Sequence, residues 1–234
     1  MKKREQMELE FESGQFIEEC KNRFLCRVNI NGTEELCYVS SSSKLDRFIE
    51  LKGREVLLIK NTGMSKKTRY TLHAVRAREG YTLLNLGYVN KLLLKEFSKP
   101  DSQYSLSHSL FCEKKVSDKL KADFFIEGRD KVVIEAKGII SETTVAQLPS
   151  MRVDRAITQL KQLEILLNKG FSVHYYVVLM SSSIQTLKLD KSYKEFNGVF
   201  TRCIKKGMLI YIYRTLWEDK QCFVEEDYKV KKVF

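Results

Sequence analysis

The chain has 234 residues, of which 43% are hydrophobic and 30% charged, a balance that excludes a disordered tract and fits one large domain or two small ones. With 41 basic residues against 30 acidic ones, the net charge is +11. That excess favours a polyanionic partner, nucleic acid first and an acidic membrane surface second.

Residues 8–87 read as β-rich. Phe24–Ile30 and Glu35–Val39 flank Asn31-Gly32, the strongest short hairpin signal a sequence offers. Further strands fit Glu55–Lys60, Arg69–Ala77 and Tyr81–Leu86, and five or so strands at this spacing predict a small OB-like barrel. Leu86 to Phe97 reads as helix. The only two prolines are Pro100 and Pro149, and the polar stretch Lys99–Ser105 marks a domain boundary, giving domains 1–98 and 99–234.

Beyond Pro100 the pattern turns to mixed α/β. Residues 121–137 read as two short apolar strands joined by a turn around Gly128, Arg129 and Asp130. Ser141–Gln147 reads as strand or loop. A long helix then runs from Pro149 to Asn168, with Val153, Ala156, Ile157, Leu160, Leu163 and Leu167 at helical spacing and Gly170 as its stop. Ser172–Met180 is an apolar strand suited to a central position. A helix over Lys191–Asn197 and strands over Phe200–Ile204 and Leu209–Tyr213 follow, and the last twenty residues carry no clear pattern.

The charge excess is spread evenly, +6 over residues 1–100 and +5 over 101–234, so neither half is a basic tail. The six cysteines form no CxxC pair and only three histidines occur, which argues against a structural zinc site. A charged start without an apolar h-region gives no secretory signal, and no apolar run is long enough to span a bilayer. A reducing cytoplasm is the expected location, with no membrane partner.

The predicted hairpin carries the chemistry. If it is symmetric about Arg129, then Glu127 faces Lys131, Phe125 faces Val133 and Asp123 faces Glu135. Period-two alternation puts Lys137 on the face of Glu135 and Ala136 on the other. Two opposed carboxylates repel unless a positive group lies between them. A surface ion pair would give the same letters, but the apolar residues on both faces of both strands make the site interior, where unpaired acids are expensive. Hard oxygen ligands suit Mg2+ or Mn2+, and Lys137 beside them suits phosphodiester hydrolysis. On the helix, Arg155, Gln159 and Gln162, with Arg152 a turn earlier, either reach toward the phosphate or form a solvated face. A run from Lys60 to Arg78 contains Lys60, Lys66, Lys67, Arg69, Arg76 and Arg78 with no acid, and Tyr70 and Tyr81 lie in or beside it. It reads as phosphate contact with base stacking. His174, in an apolar strand, reads as a packed residue. Walker A, GxGxxG, HExxH and GxSxG motifs are absent.

In this order the pieces resemble the sugar fermentation stimulation protein family. The likeness covers roughly residues 11–214 and rests on Gly14–Ile17, Arg23–Leu25, Lys66–Thr68 with Tyr70–Leu72, Asn90–Leu92, Asp123-Phe124, Glu135–Lys137, and Pro149 followed by Arg155 and Leu160. The resemblance implies an N-terminal OB-like barrel and a C-terminal PD-(D/E)xK nuclease-like mixed sheet flanked by helices. It places Asp123, Glu135 and Lys137 at the three core positions, lets Ala136 offer its carbonyl to the metal, and sets Glu113, Arg155 and Gln159 around them. Gln159 stands where the family has a histidine, and Ser41–Lys44 replaces a family loop. The expected activity is divalent-metal-dependent cleavage of DNA or RNA. The alternative is a non-catalytic, DNA-binding regulatory protein that keeps the fold as a platform.

Overall fold

The computed structural model describes residues 9–41, 43–62, 67–78, 80–105, 109–128, 130–150 and 153–234. The chain divides into two compact units. One runs to Leu86 and takes in Glu218–Lys220; the other comprises Gly87–Trp217 and Gln221–Phe234.

The first unit is a closed five-stranded barrel. Strands β1 (Phe11–Glu19), β2 (Leu25–Ile30), β3 (Thr33–Val39), β4 (Glu55–Lys60) and β5 (Tyr70–Arg76) run in the order β3-β2-β1-β4-β5, and a parallel pairing of β3 with β5 closes the ring. Strand β6 (Tyr81–Leu83) adds to β5. The Asn31-Gly32 turn joins β2 to β3 with both residues at positive φ, 50° and 84°, the twist that a two-residue hairpin needs. Alternation then sends Cys26 and Val28 of β2 into the core, with Cys37, opposite Cys26, and Val39 of β3. Strand β1 escaped the sequence reading because Phe16 is its only buried side chain, so no apolar alternation marks it. Gly14 on this strand leaves no room for a side chain: a Cβ there would lie 2.6 Å from Val28 Cγ1 and 2.8 Å from the Asn29 carbonyl.

The second unit is built on a six-stranded mixed sheet, order β14-β13-β11-β9-β8-β7, from β7 (Ser109–Ser117), β8 (Leu120–Glu127), β9 (Lys131–Ile139), β11 (Ser172–Leu179), β13 (Leu209–Glu218) and β14 (Gln221–Glu226). β7, β8 and β9 pair antiparallel, whereas β11 lies parallel to both β9 and β13. Short strands β10 (Val145–Leu148), β12 (Thr186–Leu189) and β15 (Lys231–Val233) form a parallel three-stranded sheet. Helices α2 (Val153–Asn168) and α3 (Lys194–Lys205) bury Ile157, Leu160, Leu163, Phe196, Val199 and Phe200 in one core with Phe125, Val133 and Tyr175. Arg214 on β13 fastens the two sheets. It donates to Asp227 Oδ2 at 2.6 Å and to the carbonyls of Ser181, Ser182 and Ile184 at 2.8, 3.0 and 2.5 Å.

Two differences from the sequence reading concern helices. Helix α1 (Val89–Phe97), expected to close the first domain, belongs to the second unit, where Phe97 packs edge-on to Tyr104, Phe124 and Tyr176 at 4.9–5.2 Å. An apolar stripe shows that a helix packs but not on what. Residues 200–204, read as strand, are helical, because Phe196, Val199, Phe200 and Cys203 share one helical face. Among the described residues no helix is long and apolar enough to cross a membrane.

Gly14→Ala should destabilise the barrel by roughly 1–3 kcal/mol, since backbone as well as a side chain must give way. Urea unfolding of parent and variant checks this, and equal midpoints would refute the close approach.

Candidate metal centre and nucleic-acid face

The hairpin has the expected register. Glu127 pairs with Lys131, Ile126 with Val132, Phe125 with Val133 and Phe124 with Ile134. The ladder ends there, one pair short of Asp123 and Glu135. Instead of facing Glu135 across a continuing ladder, Asp123 turns its carboxylate to the backbone: Oδ2 accepts from the Ala136 amide at 2.8 Å, and Oδ1 accepts from Asn90 Nδ2 at 3.0 Å. The parallel pairing with β11 holds residues 132–139 of β9, and the antiparallel pairing with β8 covers 131–134, so Glu135 lies just past the stretch that is paired on both sides.

Glu135 is 2% exposed. Its Oε1 accepts from Lys137 Nζ in a short ion pair and from Gln159 Nε2 at 2.9 Å. Gln159 Oε1 in turn accepts from Lys137 Nζ at 3.0 Å, so the three side chains close a triangle on the face of β9 that meets α2. Glu135 Oε2 is buried and accepts no hydrogen bond from any described residue. Burial pushes the Glu135 carboxyl up to about 7; the Lys137 charge opposes the rise, Asp123 adds to it, and Arg155 opposes it. Arg155 is exposed on α2 and acts at a distance, as no hydrogen bond joins it to either acid.

Not every expected partner converges. Glu113, by register opposite Asp123 between the pairs Cys112–Phe124 and Lys114–Ala122, has φ of 54°, and its carboxylate is ion-paired with Lys121 at 2.5 Å rather than turned to the acids. Arg152 and the turn residue Arg129 lie outside the described residues. Asn90 joined no site in the sequence reading; it lies on a helix assigned to the other domain, and only its place in the family-like stretch Asn90–Leu92 pointed to it. His174 is packed as expected: Nδ1 meets the Tyr104 hydroxyl at 2.6 Å, and burial lowers its pKa to about 4.

Among the described residues no three His, Cys, Asp or Glu side chains come together as metal ligands. A cation at this place would therefore rest on two carboxylates, backbone oxygen such as the Ala136 carbonyl, and water. The unpartnered Oε2 of Glu135 and the hard oxygen chemistry of the set fit Mg2+ or Mn2+.

On the barrel, Lys60, Lys67, Arg69, Arg76 and Arg78 are exposed, and Lys66 lies outside the described residues. Lys60 is paired with Glu10 at 2.7 Å, and Arg69 lies 3.8 Å from Glu35. Tyr70 requires correction as a stacking residue. It is 5% exposed, because its side chain points into the barrel, and Arg69 lies over its ring at 5.3 Å. The same holds for Tyr81, 6% exposed beneath Arg76. Exposed rings lie elsewhere on the unit. Phe24 and Tyr38 stack nearly parallel with centroids 6.5 Å apart, and Arg23 lies 4.5 Å from the Phe24 ring. The outward alternation of Leu36 and Tyr38 against the buried Cys37 and Val39 was the signal that would have found them.

A sequence model of the sugar fermentation stimulation protein RE domain matches residues 88–221, and one of the SfsA N-terminal OB domain matches residues 19–84. The chain belongs to the sugar fermentation stimulation protein family. Homologues in the family include one from Ruminiclostridium cellulolyticum, 24% identical over 93% of this chain and 96% of its own length. Another, from Desulfitobacterium hafniense, is 26% identical over 84% of this chain and 86% of its own. Among solved structures, SfsA of Pyrococcus furiosus in complex with Ca2+ superposes with a TM-score of 0.80 over 96% of both chains at 16% identity, which establishes a shared fold.

A carboxyl raised in the folded state stabilises the fold below its unfolded pKa of about 4.3 and loses that contribution as pH rises through about 7. In metal-free buffer, Glu135→Gln should therefore gain stability relative to the parent between pH 4 and 8, by up to about 3 kcal/mol, and level off above. Urea unfolding across that range checks it; a constant gap would mean that Glu135 titrates normally.

Proposed function

We propose that the second unit hydrolyses phosphodiester bonds in DNA or RNA with a divalent cation, Mg2+ or Mn2+, held by Asp123, Glu135 and the Ala136 carbonyl. The observation that carries this reading is Glu135: a carboxylate buried in a sheet, with one oxygen unpartnered, beside a second carboxylate and a lysine. Natural interiors rarely leave such an oxygen unsatisfied without a use for it. The Ca2+ complex of the Pyrococcus furiosus relative supports a cation-binding reading. When bound, such a cation polarises the phosphate and makes a coordinated water more acidic.

The protein's own groups divide the remaining work. Asn90 and the Ala136 amide fix both oxygens of Asp123. Gln159 bridges Glu135 and Lys137, which sets the lysine where it can orient water or offset developing negative charge. Arg155 supplies positive charge from the exposed side of α2. In this reading the barrel binds the polyanion through Lys60, Lys66, Lys67, Arg69, Arg76 and Arg78, with Phe24 and Tyr38 in place of Tyr70 as stacking rings.

End-labelled single- and double-stranded DNA and RNA should be cleaved with Mg2+ or Mn2+ and spared in EDTA. Lys137→Ala should lower the rate at least about 100-fold. Undiminished cleavage by that variant sinks the assignment, and binding without cleavage would leave the unit as a binding platform. Separately, log affinity for duplex DNA should fall against log salt with a slope of about −0.9 per phosphate contacted. Replacing Lys67, Arg69 and Arg78 with alanine should flatten that slope; an unchanged slope would remove this face from the interface.

A further inference from the structure

The side of the main sheet opposite Glu135 carries a second feature. Strand β13 alternates, so Ile212 enters the core with α3 while Tyr211 and Tyr213 point to the other side, in register with Tyr176 and Val178 of β11. There they border an open cavity of about 570 Å3, within the range of small-ligand sites. Its rings are held in place. Tyr176 stacks on Tyr211 with centroids 4.8 Å apart at 16°, its hydroxyl meets that of Tyr104 at 2.7 Å, and Gln103 bridges Tyr176 to the Tyr211 hydroxyl at 2.9 and 3.2 Å. Tyr228, 82% exposed, stands at the rim with its hydroxyl donating to Glu226 at 2.8 Å.

The charge of the cavity is opposite to that of the molecule. In a chain of net charge +11 it is lined by Glu96, Asp101, Glu225 and Glu226, and by no lysine, arginine or histidine. Glu96 is paired with Lys99 at 2.6 Å, whereas the carboxylates of Asp101 and Glu225 meet no described donor. Burial raises the pKa of Tyr211 and Tyr213, so their rings stay neutral and present electron-rich faces. The sign excludes nucleic acid and other polyanions. A small metal ion is also a poor fit: unlike Glu135, none of these carboxylates is buried, and no three acidic groups among the described residues converge on one point. Dispersed carboxylates around fixed aromatic faces match an extended ligand with several separated positive charges on an apolar chain.

We propose that this cavity is a binding site for a small organic polycation, a linear alkyl polyamine whose ammonium groups pair with Asp101 and Glu225 and whose chain lies against Tyr211, Tyr213 and Tyr228. The site is separate from the Asp123–Glu135 centre and holds whether or not that centre is catalytic.

Isothermal titration of the full chain with spermidine at low salt tests it. Saturable binding of about one spermidine per chain is expected. The double variant Asp101→Asn with Glu225→Gln should weaken it at least tenfold, and Tyr228→Ala roughly threefold. All three positions are exposed, and an unchanged circular dichroism spectrum would confirm that the variants fold. MgCl2 at matched ionic strength should compete no better than NaCl. Absence of saturable heat, full affinity in both variants, or stronger displacement by MgCl2 than by NaCl at matched ionic strength would overturn the proposal.

Discussion

The parallel pairing of β9 with β11 is the constraint on which the second unit depends. From Ser172 against Val132 to Leu179 against Ile139 the register is unbroken. Because side chains alternate, this one register sends Val133, Glu135 and Lys137 toward α2 and leaves Ile134 and Ala136 on the other side. A slip of one residue would exchange the two sets, placing Ala136 against Gln159 and a carboxylate among the rings of Phe97 and Phe124. The apolar run of β11, buried along nearly its whole length, is what makes such a slip prohibitive.

Within that frame Glu135 is held in a state of compromise. Burial disfavours its charge, Asp123 disfavours it further, and Lys137 and Gln159 compensate on one oxygen only. A structural ion pair would be expected to satisfy both oxygens, as Arg202 does by donating to each oxygen of Glu164 on the surface between α3 and α2. Glu135 has no such second donor, and its Oε2 is left buried without a described partner.

Much of this was legible from residue order, because hairpins are local. Two apolar strands around a short turn fixed which residues face each other, and period two then grouped Glu135 with Lys137. Helix α2 was equally plain from its apolar spacing. What stayed hidden had no local signature. Strand β1 shows one buried side chain and β7, at a sheet edge, shows none, so neither carries the apolar alternation that marks a strand. Asn90 reaches Asp123 across 33 positions from a helix whose own spacing reveals only that one face is apolar. Tyr70 was misjudged because a basic, aromatic run looks the same whether a ring points out or in; only barrel closure through β3 and β5 decides it.

The Arg214 fastening carries a consequence for how the unit meets acid. Guanidinium keeps its proton throughout the ordinary range, and the three carbonyls it binds do not titrate. Burial raises the Asp227 carboxyl, but the Arg214 bond and backbone amides outweigh it and hold the pKa below its usual value. Between neutral and mildly acidic pH this joint therefore keeps its charges while Glu135 gains a proton. Framework and buried carboxyl answer to different proton concentrations, so acid can neutralise Glu135 without loosening the scaffold around it.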